Sequence, residues 1–475
     1  MKRNPPLDHH QLSARQLEFI ALGAAVGSGL FIGVGQGIRI AGPGILVAYL
    51  IAGLMVFIVA RCLGEMALAD APPKVFTTYT ERYVGPRSAF VQGWSYWIIC
   101  VLVCTVDLTA AGLFVRLWLP KLPLWIPELA GLTLVFAVNR LRVRVFGEVE
   151  FWISLLKIVG IGAFLLLSVA LLMSPTPRLP GSSISNLWTQ GGFLPKGLWG
   201  VVAALPVALF AFGGSELIGI AAAEAERPER SLPRATNGLL FRLALFYMGT
   251  TLSLVCLEAW RDVPVDSSPI VDVLRRTGVP AAATMMNAIL VSAVLSSCNS
   301  TLYAGARVLR VLGEGGAAPK RLSKLNANGV PALASGVTLG AVATTILLGR
   351  FLPNGLFGLL MAMAAVIVIA NWTLFLVAHL RFQRLRKAEG ERRFAAPGAP
   401  WSTVAVLVLI VGTMIVALGD PGLRLGALLA TGVLLSLAMV ATLQTPRTSA
   451  AGAADVDGVT LPTSRGGRRH DRHGR

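Results

Sequence analysis

The stretch LEFIALGAAVGSGLFIGVGQGI, residues 17–38, is apolar for long enough to cross a bilayer, yet Gly27-Ser28-Gly29 interrupts its middle. At ~1.5 Å of rise per residue, about 20 helical residues span a hydrocarbon core. Six of these 22 residues are glycine, and each glycine inside a helix costs about 1 kcal/mol relative to alanine. A plain anchor would not be built this way. Non-helical backbone at membrane depth persists only where protein or a water-filled cavity covers it. The break therefore predicts a place where freed amides and carbonyls bind a ligand.

Around this stretch the chain reads as an all-α polytopic membrane protein. Of 475 residues, 55% are hydrophobic and 14% charged, with mean hydropathy +0.68. That balance lies far from a soluble globular domain. Apolar runs predict twelve transmembrane helices, at 17–38, 44–69, 88–118, 124–139, 148–173, 198–224, 237–258, 280–309, 331–349, 354–380, 401–418 and 423–443. The intervals between them leave no room for a soluble catalytic domain.

The net charge of +18 orients the chain and does not mark a nucleic-acid partner. Of the 42 Lys and Arg residues, 29 fall in the 1–16 tail, in alternate connections counted from it and, for Arg307, at the adjoining end of the eighth span. The positive-inside bias places both termini in the cytoplasm, and a multi-pass protein of the plasma (inner) membrane is the expectation. The first run has no cleavage site and reads as a retained span. Residues 446–475, ending SRGGRRHDRHGR, have almost no large apolar residues and are expected to be a disordered cytoplasmic tail. Cys62, Cys100, Cys104, Cys256 and Cys298 lie in apolar runs without metal-ligand spacing. The five histidines form no HExxH site. No cofactor, metal or obligate protein partner is implied, and no enzyme activity.

The sixth run repeats the oddity of the first. Within KGLWGVVAALPVALFAFGGSELIGIAAAEAE, Pro206 removes a backbone donor, and Gly213-Gly214 followed by Ser215-Glu216 interrupts the apolar pattern. Two interrupted spans, five helices apart, point to a pseudo-symmetric transporter made of inverted repeats. The first repeat is 17–173 and the second 198–380, with 401–443 added as two further helices. The interrupted helices are expected to face each other near the midplane.

That arrangement suits an α-amino acid. Half-helix N-termini present unpaired N–H groups to a carboxylate, and unwound carbonyls accept from an ammonium. Gly27, Ser28 and Gly29 are the expected carboxylate site. The carbonyls of Phe210, Ala211 and Phe212, beside the break at Gly214, are the expected amine site. Asp107, deep in the third span, is either part of this site or a structural hydrogen-bonding group. Lys157, about eight residues past an interface, is either a coupling group that exchanges a proton or a fixed counter-charge. On the eighth span Ser292, Ser296, Asn299, Ser300, Tyr303 and Arg307 form a polar stripe along one helical face. Glu65, with Arg61 one turn before it, is read as an interfacial pair or part of a gate. Phe76–Tyr83 is read as an amphipathic piece along the membrane surface.

IALGAAVGSGLFIGVGQGI (20–38), GEMA (64–67), FGEVEFWISLLKIVG (146–160), FAFGGSELIGIAAAEAERPERSLPRA (210–235) and LSSCNSTLYAGARVL (295–309) together resemble the bacterial amino acid permeases of the amino acid–polyamine–organocation superfamily. The match runs from Leu17 to about residue 443. The resemblance implies a leucine-transporter-like 5+5 inverted repeat with broken helices 1 and 6, and proton-driven amino acid uptake. It also implies that Lys157 stands where sodium-coupled relatives bind an ion, with Ser296 and Ser297 beside it, and that Glu216 lies at the substrate site.

The function expected is import of an amino acid by proton symport and alternating access. The alternative is an amino acid or polyamine exchanger of the same fold, and less favoured is a transporter-like sensor. A small or medium neutral substrate is the expectation, with a cationic one left open by Asp107 and Glu216. Substrate, protons and the lipid bilayer are the implied partners.

Overall fold

The structure, a computed structural model, describes residues 26–69, 76–140, 143–174, 179–214, 228–326, 329–351, 356–385 and 394–443. Both expected tails, Glu216 and the part of the sixth run beyond Gly214 lie outside the described residues.

All regular elements among the described residues are helical. The first run enters through a π-helical turn, Gly29–Gly33, that continues as α1 (Val34–Ala41). Gly42-Pro43-Gly44 then forms a 3-10 turn before α2 (Ile45–Ala69). Gly42 makes this turn possible: its φ of 63° disfavours any other residue, and an added Cβ would lie 2.4 Å from Pro195 Cγ. The short α3 (Phe76–Tyr83) precedes α4 (Pro86–Arg116), α5 (Trp125–Asn139) and α6 (Val143–Met173). After the single turn α7 (Asn186–Thr189), α8 (Gly197–Ala211) carries the first half of the sixth run, and α9 (Pro228–Leu257) follows. The remaining helices are α10 (Pro269–Arg276), α11 (Pro280–Glu314), α12 (Ala332–Gly349), α13 (Leu356–Leu385), α14 (Trp401–Gly419) and α15 (Pro421–Leu443). Proline opens α4, α10, α11 and α15, where the missing N–H would have no helical partner anyway.

Among the described residues, eight stretches of helix are long and apolar enough to cross a membrane, with Gly29–Ala69 taken as one. Trp125–Asn139, Gly197–Ala211 and Leu245–Leu257 are shorter apolar helices. The outer surface agrees with this: Leu166 and Met173 on α6 are 75% and 78% exposed, and Ile415 and Leu435 on α14 and α15 are each 65% exposed. Such a girdle of bare aliphatic side chains belongs in lipid. The chain is a multi-pass membrane protein.

At the centre, α4 and α11 form the most extensive helix pair. They are tied by Asn287 Nδ2 donating to Phe114 O at 2.8 Å and Cys104 Sγ to Cys298 O at 3.4 Å. All five cysteines are buried free thiols, as their apolar settings predict. Many hydroxyls bond the carbonyl one turn back, as Thr105 does to Val101 O and Ser168 to Phe164 O, so they cross the apolar layer already satisfied. The expected helix Phe76–Tyr83 forms, but protein takes its apolar face. Phe76 packs on Tyr96 and Phe375, with ring centroids 4.7 and 4.9 Å away, and Tyr83 packs on Phe382 at 5.4 Å.

Gly42→Ala is expected to cost about 1–3 kcal/mol, from a strained φ alone. A lowered thermal unfolding midpoint of the purified protein in detergent checks this, and an unchanged midpoint would contradict the assigned turn.

Candidate functional site

The chain enters the first break at Val26, where the residues before the π-helical turn lack the regular helical ladder. Ser28 is held there by Asp107 of α4: its N–H donates to Asp107 Oδ1 at 3.0 Å and its hydroxyl to the same oxygen at 2.6 Å. Ser297 on α11 also donates to this carboxylate. Asp107 is 1% exposed, and these donors replace the water it has lost. The Ser28 amide, expected to hold a ligand carboxylate, is therefore occupied by a carboxylate of the chain. Gly27 lies against the same group, since a Cβ there would come within 2.5 Å of Ser297 Oγ and 3.1 Å of Asp107 Oδ1.

The second break begins where α8 ends. Gly213 N–H folds back to Phe210 O at 3.0 Å, and Gly214 takes a φ of 93°. Ala211 O accepts from the Tyr247 hydroxyl at 2.6 Å. A carbonyl has two lone pairs, so this bond leaves a second acceptor direction on Ala211. Phe212, Tyr49 and Tyr247 form a buried aromatic cluster beside the break, with centroids 4.8 to 5.8 Å apart.

The two breaks touch. A Cβ on Gly29 would lie 2.7 Å from Ala211 Cα, closer than atoms pack, so only glycine admits the approach of one interrupted segment to the other.

Lys157, 1% exposed on α6, donates from Nζ to Val26 O at 3.3 Å. The first break therefore has its carbonyl side on Lys157 and its amide side on Asp107. Ser296 and Ser297 bond the two carboxylates that attract Lys157 electrostatically: Ser297 bonds Asp107, and Ser296 bonds Glu150 Oε1. Glu150 is fully buried, and its Oε2 accepts from Asn299 Nδ2 at 3.1 Å. Asn139 Nδ2 on α5 donates in turn to Asn299 Oδ1 at 2.6 Å. Glu150 and Lys157 are seven residues apart, two turns along one face of α6. That spacing within FGEVEFWISLLKIVG was the available signal for Glu150. Tyr247 and Asn139 had no such signal, because their partners are backbone and a distant side chain.

The stripe on α11 is real in its central part. Ser296, Asn299, Ser300, Tyr303 and Arg307 are buried, whereas Ser292 is only half-buried and bonds Ile289 O at 2.7 Å. The Arg307 guanidinium stacks on Tyr303, 3.3 Å from its ring centroid.

Arg61 and Glu65 serve a wider purpose than a mutual pair. Glu65 Oε2 lies 2.9 Å from His379 Nε2 and accepts Ala396 N–H at 2.9 Å. Arg61 donates to Ala395 O at 2.5 Å and to Asn237 Oδ1 at 3.1 Å, and lies 3.7 Å from the Phe394 ring centroid. Both charges on α2 thus clamp the segment leading into α14.

Among the described residues no group of His, Cys, Asp and Glu side chains is arranged to hold a metal. The arrangement is suited to holding charge: two backbone breaks in contact, with Lys157 and Asp107 bonded to the first and Glu150 interacting with Lys157 electrostatically.

The sequence model of the amino acid permease family matches residues 16–441. The chain is 38% identical over 415 residues to the aromatic amino acid transport protein AroP of Salmonella typhimurium, covering 87% of this chain and 91% of that protein. It is 36% identical over 419 residues to AroP of Escherichia coli K12, covering 88% and 92%. To the uncharacterized amino acid permease YtnA of Bacillus subtilis it is 34% identical over 426 residues, covering 89% and 92%. With both breaks, the intervening helices and all the buried charges falling inside the matched region, the chain belongs to the amino acid permease family.

Proposed function

We propose that this protein is a secondary transporter that imports an α-amino acid across the plasma membrane by proton symport and alternating access. The observation that carries the reading is the contact of the two breaks, Gly29 against Ala211, beside a buried lysine and two buried carboxylates. A ligand with adjacent carboxylate and ammonium fits such a junction, because helix ends and unwound backbone offer both signs of partial charge.

In this reading the chain has twelve spans. Residues 17–173 and 198–380 are inverted five-helix repeats, 401–443 add two helices, and the tails 1–16 and 446–475 lie in the cytoplasm. Gly27 and Gly29, on either side of the Ser28 held by Asp107, face the substrate carboxylate, Phe210, Ala211 and Phe212 face its ammonium, and Gly214 and Glu216 complete the second break. Asp107 holds Ser28 in place. Lys157, with Ser296 and Ser297 bonded to the carboxylates that attract it, carries the coupling. The protein has transport and not catalysis as its task, and needs no cofactor.

The names of the relatives support an aromatic substrate side chain, a shift from the small or medium one expected from sequence. The Tyr49, Phe212 and Tyr247 cluster supports the same shift, since aromatic rings beside the break suit an aromatic guest.

In proteoliposomes, radiolabelled phenylalanine, tyrosine or tryptophan is expected to accumulate under an inward proton gradient and to lose that accumulation when the gradient is collapsed. Flux that needs internal substrate, whatever the pH, would make the protein an exchanger. Lys157→Ala should abolish gradient-driven accumulation, and retained accumulation would remove Lys157 from the coupling path. Gly29→Ala should raise KM at least about tenfold, equivalent to about 1.4 kcal/mol of lost binding, because its Cβ pushes the two breaks apart. An unchanged KM would move the substrate elsewhere.

A further inference from the structure

The far end of α2, cytoplasmic in the topology proposed above, carries two ionisable side chains that the site at the breaks does not use. Arg61 donates to Ala395 O, and to Asn237 Oδ1 on α9 at 3.1 Å. Glu65, one turn on, accepts Ala396 N–H at 2.9 Å and lies 2.9 Å from Nε2 of the fully buried His379 on α13. Phe394 sits between these anchors. The Arg61 guanidinium lies 3.7 Å from its ring centroid, and the ring rests on Gly64, where an added Cβ would come within 2.7 Å of Phe394 Cε1.

Phe394 has a φ of 65°, and among the described residues it alone, glycines aside, has a positive φ. A Cβ crowds the backbone in that conformation, which persists only while the surroundings fix it. Here α2 fixes it through Arg61, Gly64 and Glu65, α13 supports Glu65 through His379, and α9 supports Arg61 through Asn237. Where the segment runs into α14, Thr403 Oγ1 lies 3.5 Å from His379 Nδ1 and 3.7 Å from Cys62 Sγ. Cys62 is fully buried beneath it.

The clamp crosses between helix pairs. The principal neighbour of α2 is α9, and that of α13 is α4. In the inverted-repeat reading α2 and α9 are the second helices of the two repeats, each next to a broken helix, so they travel with the breaks when one part of the molecule rocks against the rest. Bonds that span the boundary must then part. Those at this end are suited to it: Arg61, Glu65 and the backbone of 395–396 can exchange their partners for cytoplasmic water at small net cost, and Phe394 relaxes as it leaves.

We propose that Arg61, Glu65, His379 and the strained Phe394 form a cytoplasmic latch, shut in this structure, whose release frees α2 and α9 to move with the two breaks during transport. The inference rests on the alternating-access reading above and names contacts that have to open for it. With the latch shut, Cys62 is sealed against Thr403. With it released, the thiol meets water.

The test reads Cys62 in the native chain. Full-length protein in proteoliposomes is treated with N-ethylmaleimide, which forms a thioether with a thiol that water can reach, and peptide mass spectrometry follows modification at each of the five buried cysteines. Two conditions are compared: no substrate, and phenylalanine, or whichever amino acid the protein accumulates, under an inward proton gradient. Turnover is expected to speed modification of Cys62 at least about tenfold, while Cys104 and Cys298 in the α4–α11 pair stay within about twofold, as for a local opening. Two variants act on the latch separately: Arg61→Ala removes the bonds to Ala395 and Asn237, and Gly64→Ala pushes the Phe394 ring off α2. Each should raise the Cys62 rate without substrate to the turnover level. A Cys62 rate equal at rest and in turnover overturns the latch while transport stands. A resting rate that neither variant changes overturns it too, as does modification that rises at all five cysteines together, which is general loosening. A native chain that accumulates no amino acid overturns the transport reading, and the latch with it.

Discussion

The Asp107 carboxylate, accepting both the amide and the hydroxyl of Ser28, holds the chain where the first apolar run is not regular helix. In a hydrocarbon layer this bond solves a specific problem. The amide at a helix start has no partner within its own helix, and lipid supplies none. A carboxylate on a neighbouring helix satisfies it and introduces a charge that must itself be answered. Lys157 answers that charge and spends a donor on Val26 O, on the other side of the same break. The irregular backbone is thus braced from two helices, α4 and α6.

From this bond the polarity spreads in a connected way. Lys157 brings Glu150 into the same electrostatic system, Glu150 brings Ser296 and Asn299 from α11, and Asn299 brings Asn139 from α5. Each step passes a polar group to another polar group, and the large exposed side chains of α6, α14 and α15 are apolar. Four helices are thereby tied to one short stretch of backbone. In the function proposed above, that shared attachment is what would couple a bound solute to the movement of helices.

A second polar centre stands apart at the end of α2. Arg61 donates to Ala395 O and lies over the Phe394 ring, and Glu65, paired with His379, accepts Ala396 N–H, so the segment entering α14 is fixed to α2 and α13. Phe394 has a φ of 65°, uncommon for a residue with a side chain, and the guanidinium against its ring accompanies that conformation. This centre gives GEMA its structural sense: the glutamate acts on a segment some 330 residues away.

Sequence alone settled the class of the protein and the position of its breaks. Apolar length and charge count require a membrane, and glycine clusters at 27–29 and 213–214 require irregular backbone within it, because both follow from the chemistry of single residues and their neighbours in the chain. It also singled out Asp107 and Lys157, since an ionisable residue in an apolar run is conspicuous by itself. The polar face of α11 was legible from helical spacing. Tertiary structure decided which groups meet: that Asp107 fills the Ser28 amide, that Tyr247 takes Ala211 O, that Gly29 lies on Ala211, and that Glu150 stands between Lys157 and α11. Those pairings join residues 36 to 182 positions apart, or depend on which face of a helix is turned inward. Periodicity gives a helix its faces, but only packing against other helices chooses the partner of each face.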